Sequence, residues 1–253
     1  MILRLLLAIG VGLAVAQVAT LATTVFLHRG LTHKALTMRR PLTAAFRVVT
    51  WLTTGIKPRE WAAVHRKHHA LTDTEGDPHS PAVLGWVRVT FTNAALYRRS
   101  ARNPDTVTRY AKDLPADRWD RVLFDRALLG LGIGIAFLVV ILGPWYALVA
   151  IVVHIGYYLG IGGAVNGLGH HFGRRPYENS ATNMQWLALF TGGEGLHNNH
   201  HAAPTSARFS LHRGELDLGW LAIRVFRRMR LATVRLENLK LVPAARRRRR
   251  AAA

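Results

Sequence analysis

Three imidazoles stand within five residues at His197, His200 and His201. Positions i, i+3 and i+4 share one face of a helix, so all three rings could point at one metal centre. His65, His68 and His69 repeat that spacing, and His28 with His33 close a long apolar run. His170 follows Asn166 by one helical turn at the end of a later apolar run. Neutral imidazole binds first-row metals, and these nine rings exceed what one ion can accept. Two ions with four to five rings each is the economical reading. A hydrolytic zinc site normally uses three protein ligands and a water, so an all-nitrogen set suits oxygen activation better. Asn166 is no strong ligand, but its amide oxygen could hold a metal-bound water. Asp73, Glu75, Asp77 and Glu194 could each accept a far ring proton and fix a tautomer.

The chain has no cysteine, which excludes thiolate-held zinc, iron–sulfur clusters and cysteine nucleophiles within it. Imidazole and oxygen ligands remain, a set that suits iron, zinc, copper or nickel. The other histidines read as bystanders. His154 lies inside an apolar stretch, as a structural or pathway-lining residue, and His79 and His212 fall in loops. His171 adjoins His170 but points about 100° away on a helix.

Every histidine cluster abuts a membrane-length segment. Half the residues are hydrophobic, yet the formal charge is +20, a pairing natural to a membrane protein with basic cytoplasmic faces. The apolar residues form long blocks without periodic spacing, which argues against a nucleic-acid binder. Residues 2–27 carry one charge, Arg4, and at 1.5 Å per residue extend roughly 39 Å, enough to cross a bilayer. A cleaved signal would have a shorter apolar region and a small-residue cleavage site, so a membrane anchor is expected. Residues 41–56 are too short for a span and read as an interfacial helix with Pro41 in its first turn. The block from Ala127 breaks at Gly143-Pro144, giving spans 127–143 and 145–165, with Trp145 and Tyr146 at the interface.

The expected fold is therefore all-α: one membrane domain over 1–253 with about three transmembrane helices. A cytoplasmic helical lobe, 57–126 and 166–240, carries the histidines, and a basic tail, 241–253, with its arginine run 246–250, is expected to be disordered. The loops flanking the hairpin hold nearly all Lys and Arg, which puts them, the histidine groups and the C-terminus in the cytoplasm.

His28-x4-His33, His65-x2-His68-His69 and His197-x2-His200-His201 resemble the three histidine boxes of the membrane fatty-acid desaturases, in particular the acyl-CoA desaturases that act at the ninth carbon. Glu60-Trp61, Gly76-Asp77-Pro78-His79, Asn166-x3-His170 and Gly193-Glu194-Gly195 resemble that group as well, so the likeness runs from about His28 to Pro204. It implies two non-haem irons held by His28, His33, His65, His68, His69, His170, His197, His200 and His201, with Asn166 reaching one through water. It also implies dioxygen as co-substrate, a cis double bond in an acyl chain carried by CoA, a protein or a lipid, and electrons from a ferredoxin or b-type cytochrome with its reductase. No His-Pro-Gly-Gly haem motif is present, so the donor is a separate protein. Localisation follows as an integral membrane protein, in the cell membrane if the chain is bacterial, with lipids as partners and no nucleic acid. The family usually has two spans before the first box where this chain has one, so an outer helix is missing or the sequence begins late. An extra histidine, His171, follows His170. The alternatives are a hydroxylase or ketolase of the same di-iron class and a non-enzymatic membrane metal-binding protein. The one-sided clustering of the ligands argues against the second.

Overall fold

Residues 1–236 and residue 241 are described by the computed structural model. Helix α1 (Ile2–Ala22) continues without a break into a π-helical segment, Thr23–Thr32, making one rod of 31 residues. A three-residue strand, β1 (Leu36–Met38), leads to α2 (Arg40–Thr53) and α3 (Pro58–Leu71). Both helices carry proline in their first turn, where its missing N–H costs no hydrogen bond. Three more helices follow, the short α4 (Pro81–Leu84), the longer α5 (Trp86–Ala101) and α6 (Pro104–Tyr110), then a π-turn at Asp120–Phe124. The apolar hairpin is α7 (Ala127–Leu142) and α8 (Pro144–Gly167), the latter extended by a 3-10 turn, Leu168–His170. Helices α9 (Gln185–Phe190), α10 (His197–Ala202) and α11 (Leu218–Arg228) and strand β2 (Ala232–Val234) complete the described chain.

The chain is mostly helical, as its patterning indicates, but not all-α. β1 and β2 pair antiparallel, Leu36 opposite Val234 and Met38 opposite Ala232, and tie the end of the first histidine segment to the last described element. Three-residue strands so far apart leave no local periodic signal. Two of the expected spans match helices long and apolar enough to cross a membrane, Ile2–Thr32 and Pro144–His170. The third forms a shorter apolar helix of 16 residues, Ala127–Leu142. A helix does form near the expected 41–56, namely α2, which starts one residue and ends three residues earlier. The basic tail and its expected disorder lie outside the described residues, apart from residue 241.

Small residues bring the long helices together. A Cβ on Gly12 would stand 2.5 Å from the Ala150 carbonyl oxygen of α8, and one on Gly130 2.5 Å from the Trp51 carbonyl oxygen of α2. Gly163 and Gly167 do the same between α8 and Thr90 of α5. Close backbone approach of this kind is how helices pack where water supplies no hydrophobic drive. Above these contacts, Ala22, Val25, Phe26 and Leu27 join Leu42, Phe46 and Ile223 in the main apolar core. Arg29 is fully buried there. It donates to Asp217 at 2.9 Å and lies 3.9 Å over the Phe209 ring, which fastens the first histidine segment to the start of α11. Breaking such a buried pair on one side leaves an uncompensated charge.

Candidate metal centre

His28 and His33 are five residues apart, and on an α-helix they would point about 140° apart. The π-helical backbone removes that offset. The N–H of His33 bonds the carbonyl of His28 at 3.1 Å, so one ring stands a single wide turn above the other, with centroids 4.9 Å apart. Arg66 of α3 fixes the end of this turn by donating to the Leu31 and Thr32 carbonyls. Its other bonds go to Asp113 and the Tyr110 carbonyl, so one side chain ties the second histidine helix both to the first segment and to the end of α6.

The nine clustered histidines fall into two groups, each with ligand nitrogens within 4.8 Å of one another. His28, His33, His65, His69 and His200 form the first; His68, His170, His197 and His201 form the second. The two helical boxes are split between the groups in opposite senses. In α3 the i,i+4 pair His65/His69 serves the first group and His68 the second. In α10 the pair His197/His201 serves the second and His200 the first. The expectation that each triplet faces a single centre is therefore corrected. Side chains at i and i+4 leave the helix in nearly the same direction, while the one at i+3 is rotated by about 60° and reaches across.

Within the first group Nε2 of His200 lies 3.0 Å from Nε2 of His28 and 2.9 Å from that of His69, which is 3.1 Å from Nε2 of His65. In the second, His201 Nε2 is 3.4 Å from His68 Nε2 and 3.3 Å from His197 Nε2. Nε2 of His33 and of His170 is buried with no hydrogen-bond partner in the structure. On the far side of the rings, His28 Nδ1 faces Glu194 at 2.7 Å, His68 Nδ1 faces Asp77 at 3.0 Å and His170 Nδ1 faces Asp73 at 2.9 Å. Each carboxylate accepts a hydrogen bond from the Nδ1–H and leaves the Nε2 lone pair turned inward. Lone pairs converging in this way repel one another unless cations lie among them, so the donor set fits two metal ions.

Burial first, then repulsion from neighbouring rings, pushes the pKa of His65, His69, His197, His200 and His201 well below the ordinary imidazole value. These rings are neutral near pH 7 and free to act as ligands. Burial would raise Asp73, Asp77 and Glu194, but hydrogen bonds and charge from His170, His68 and His28 respectively outweigh it and hold the carboxyls below their usual range.

A fatty acid desaturase family model matches residues 4–232 of the chain. The chain belongs to the fatty acid desaturase family. It is 33% identical over 228 residues to Delta-9 desaturase-like 1 protein of Arabidopsis thaliana, covering 88% of this chain and 74% of that one. With the sn-1 stearoyl-lipid 9-desaturase of Anabaena variabilis it shares 32% identity over 239 residues, 92% of this chain and 84% of the relative. With the Acyl-CoA C20 Delta5-desaturase of Anemone leveillei the figures are 32% over 220 residues, 83% and 68%.

In this desaturase-family chain the remaining expected residues take distinct places. Asn166 borders a cavity of about 1020 Å³ that His28, His65 and His197 also line, and its amide nitrogen donates to Asn93 Oδ1 at 2.9 Å. Asn93 lies mid-helix in α5 and has no sequence signal of its own. His171 is exposed and stacks on Trp86, away from the clusters. His212 stacks on Tyr177. His154 places Nε2 2.7 Å from the Thr53 carbonyl oxygen and lines the cavity. Glu75 is exposed, so of the four candidate acids it alone meets no box histidine. His79 lies in a turn, as expected, but not as a bystander. It is 4% exposed, lies 4.6 Å from the His68 ring in a stacked arrangement, and has no partner on either ring nitrogen. With His68 and Asp77 it makes a third set of candidate ligand atoms. Its nearness to the second box, within the Gly76–His79 turn, was the available clue.

Proposed function

We propose that this protein is an oxygen-dependent acyl desaturase that introduces a cis double bond at the ninth carbon of a saturated acyl chain. The observation that carries the reading is the adjacency of two all-imidazole clusters to a roomy cavity with a largely apolar wall. His28, His33, His65, His69 and His200 would hold one iron, and His68, His170, His197 and His201 the other, with Asn166 acting through water. When bound, the metals supply the redox chemistry by which one dioxygen, two electrons and two protons take two hydrogens from a methylene pair and end as two waters.

The chain's own residues position the reactants. Glu194, Asp77 and Asp73 fix the tautomers of His28, His68 and His170. Val165, Ile161 and Leu159 of α8, with Leu131 of α7, supply apolar cavity wall, which keeps water from the methylene pair. Lys57, Arg98 and Arg102 also line the cavity, a cationic rim for the phosphate of a CoA thioester, a phosphorylated carrier or a lipid headgroup. On the other side of the clusters an open cleft of about 500 Å³ meets the half-buried rings of His33, His69 and His201 beside Arg66. That cleft suits the approach of a separate electron donor.

The reading includes three membrane crossings with the histidines and the C-terminus cytoplasmic. α7 folds back on α8 at Gly143 and packs along it, so its 16 residues cover the same depth as the first part of α8. That depth is about 24 Å at 1.5 Å per residue, less than the ~30 Å hydrocarbon core, and it is the pairing with the longer α8 that lets α7 count as a crossing. Gas chromatography of fatty acids from an expressing host, with double bonds located chemically, tests the function. The expected product is a cis-9 monounsaturated chain. Saturated chains unchanged in cells whose protein carries iron would overturn the reading, and a hydroxylated product would redirect it to the hydroxylases.

A further inference from the structure

Phe190, at the end of α9, is held at a defined level against the two long apolar helices. Its carbonyl accepts from Tyr157 of α8 at 3.1 Å and from Gln17 of α1 at 3.5 Å. Tyr157 lies within two residues of Leu159, the α8 position that pairs in depth with Ala127, where α7 begins. If α7 and α8 cross the bilayer together, Phe190 stands at its cytoplasmic boundary. Trp186 and Phe190 are 55% and 50% exposed there, although both are large and apolar.

The same exposed surface continues onto α11. Gln185 and Leu216 exchange two hydrogen bonds, which place α9 beside the α11 start. Along α11, Leu218, Leu221 and Val225, followed by Met229, recur on one face, and all four are exposed. The core side of the helix is a different one: Gly219 and Ile223 are buried about 120° around the axis. Arg224 and Arg228, both exposed, flank the outer apolar stripe, and Leu218–Arg228 contains no acidic residue. An apolar stripe edged by cations and continuous with membrane-spanning helices has the features of a helix lying in a lipid interface.

We propose that α9 and α11 form an in-plane collar seated in the headgroup region of the bilayer, with Arg224 and Arg228 on anionic lipid phosphates. This rests on the membrane-crossing reading and extends it to elements that do not cross. The collar also touches the metal centre. Thr191 directly follows Phe190 and its hydroxyl accepts from the Gly195 N–H, so the segment bearing Glu194, the partner of His28, is hung between the lipid seat and the cluster. Lipid contact would then cover Trp186 and Phe190, the exposed side chains just before that buried segment.

Because the chain has no cysteine, single cysteines can be placed and nitroxide-labelled without a prior cysteine-free background. The labels belong at Phe190→Cys, Leu221→Cys and Val225→Cys, with Val152→Cys on the exposed side of α8 and Arg213→Cys in a loop as references. Collision with oxygen against collision with a water-soluble nickel chelate would be measured in nanodiscs of phosphatidylcholine with phosphatidylglycerol. The expected result is that all three collar labels favour oxygen, as Val152 does, while Arg213 favours nickel. Collar labels that follow Arg213 while Val152 favours oxygen would overturn the collar alone. A Val152 label that also follows Arg213 would overturn the crossing reading and the collar with it. Adding Arg224→Glu and Arg228→Glu should raise nickel access at position 225 at least two-fold in the anionic discs and leave it unchanged in phosphatidylcholine alone. An equal response in both discs would remove the role of anionic lipid.

Discussion

Each carboxylate behind the clusters meets one histidine, which makes its contribution separable. Asp77 is the most committed. It faces His68 Nδ1 and also accepts from the Asp73 and His79 backbone N–H groups. Asp77→Asn should lower metal affinity about 10- to 100-fold without loss of fold, because the amide cannot hold the ring proton as a carboxylate does. Titration of the metal-free protein with cobalt, followed by its absorption bands, would measure this; unchanged affinity would reject the orienting role. His79 and His171 make a second contrast. His79 is buried and stacked on His68, so His79→Ala opens a void against a cluster ring and should lower both metal retention and turnover. His171→Ala removes only a ring stacked on Trp86 at the surface and should leave both nearly intact. Parallel metal analysis and product assays of the two variants would decide, and equal losses would refute the distinction. Burial holds His79 down to about 3, so it enters neutral and its loss should add no new pH dependence near neutrality.

Among the elements, α8 is where packing is least forgiving. A Cβ at Gly163 would run into the Thr90 carbonyl of α5, with the Thr90 carbonyl carbon 3.0 Å away, whereas Gly156 has nothing within 4 Å. Gly163→Ala must part α5 from α8, both of which line the cavity, and should cost about 1–3 kcal/mol. Gly156→Ala should be neutral or slightly stabilising, since alanine is the better helix former. Thermal unfolding in matched detergent would separate them, and equal midpoints would contradict the close packing. Gly195 is tighter still. A side chain there would strike the Ala188 nitrogen and stand 2.7 Å from the Met184 carbonyl oxygen, between Glu194 and the third histidine box. Gly195→Ala is expected to lose metal as well as stability, which the same melts combined with metal analysis would record.

Across the whole molecule, the lobe is latched to the helices by exposed ion pairs that acid should release. Arg47 of α2 grips Asp117 at 2.7 Å and Asp120 at 2.5 Å. The hydrogen bond from Arg47 holds the Asp117 carboxyl down to about 2. A depressed carboxylate stabilises the fold fully above its unfolded value, near 3.9, and loses that contribution as pH falls toward the folded value. Arg47→Met should therefore lower the unfolding midpoint at pH 7, with the gap to the parent closing between about pH 4 and pH 2. Both carboxylates are partly exposed, so the gap should be small and shrink in salt. A gap that persists at pH 2 would assign the effect to packing of Arg47 over Phe124 instead.

Residue type and spacing determined the chemistry. Nine histidines at repeated offsets, no cysteine and long apolar blocks are one-dimensional facts, and they were enough to mark a candidate metal centre, the helical class and the hairpin turn at Gly143. Asp73, Asp77 and Glu194 were legible as ring-proton acceptors from their nearness to histidines, but the same nearness also pointed to Glu75, which faces solvent, so spacing could not tell an inward acid from an outward one. Tertiary structure alone decided how the rings are shared. A helical repeat says which side chains lie on one face, but not that the i+3 ring crosses to another cluster, since that depends on two helices meeting. The π-turn that aligns His28 with His33 was hidden for a related reason. Its i to i+5 hydrogen bonds hold only where packing and Arg66 brace the wider turn, and no residue type marks it. The burial of His79, the Asn93 contact to Asn166 and the pairing of β1 with β2 likewise join residues distant in sequence or in loops, where spacing carries no register.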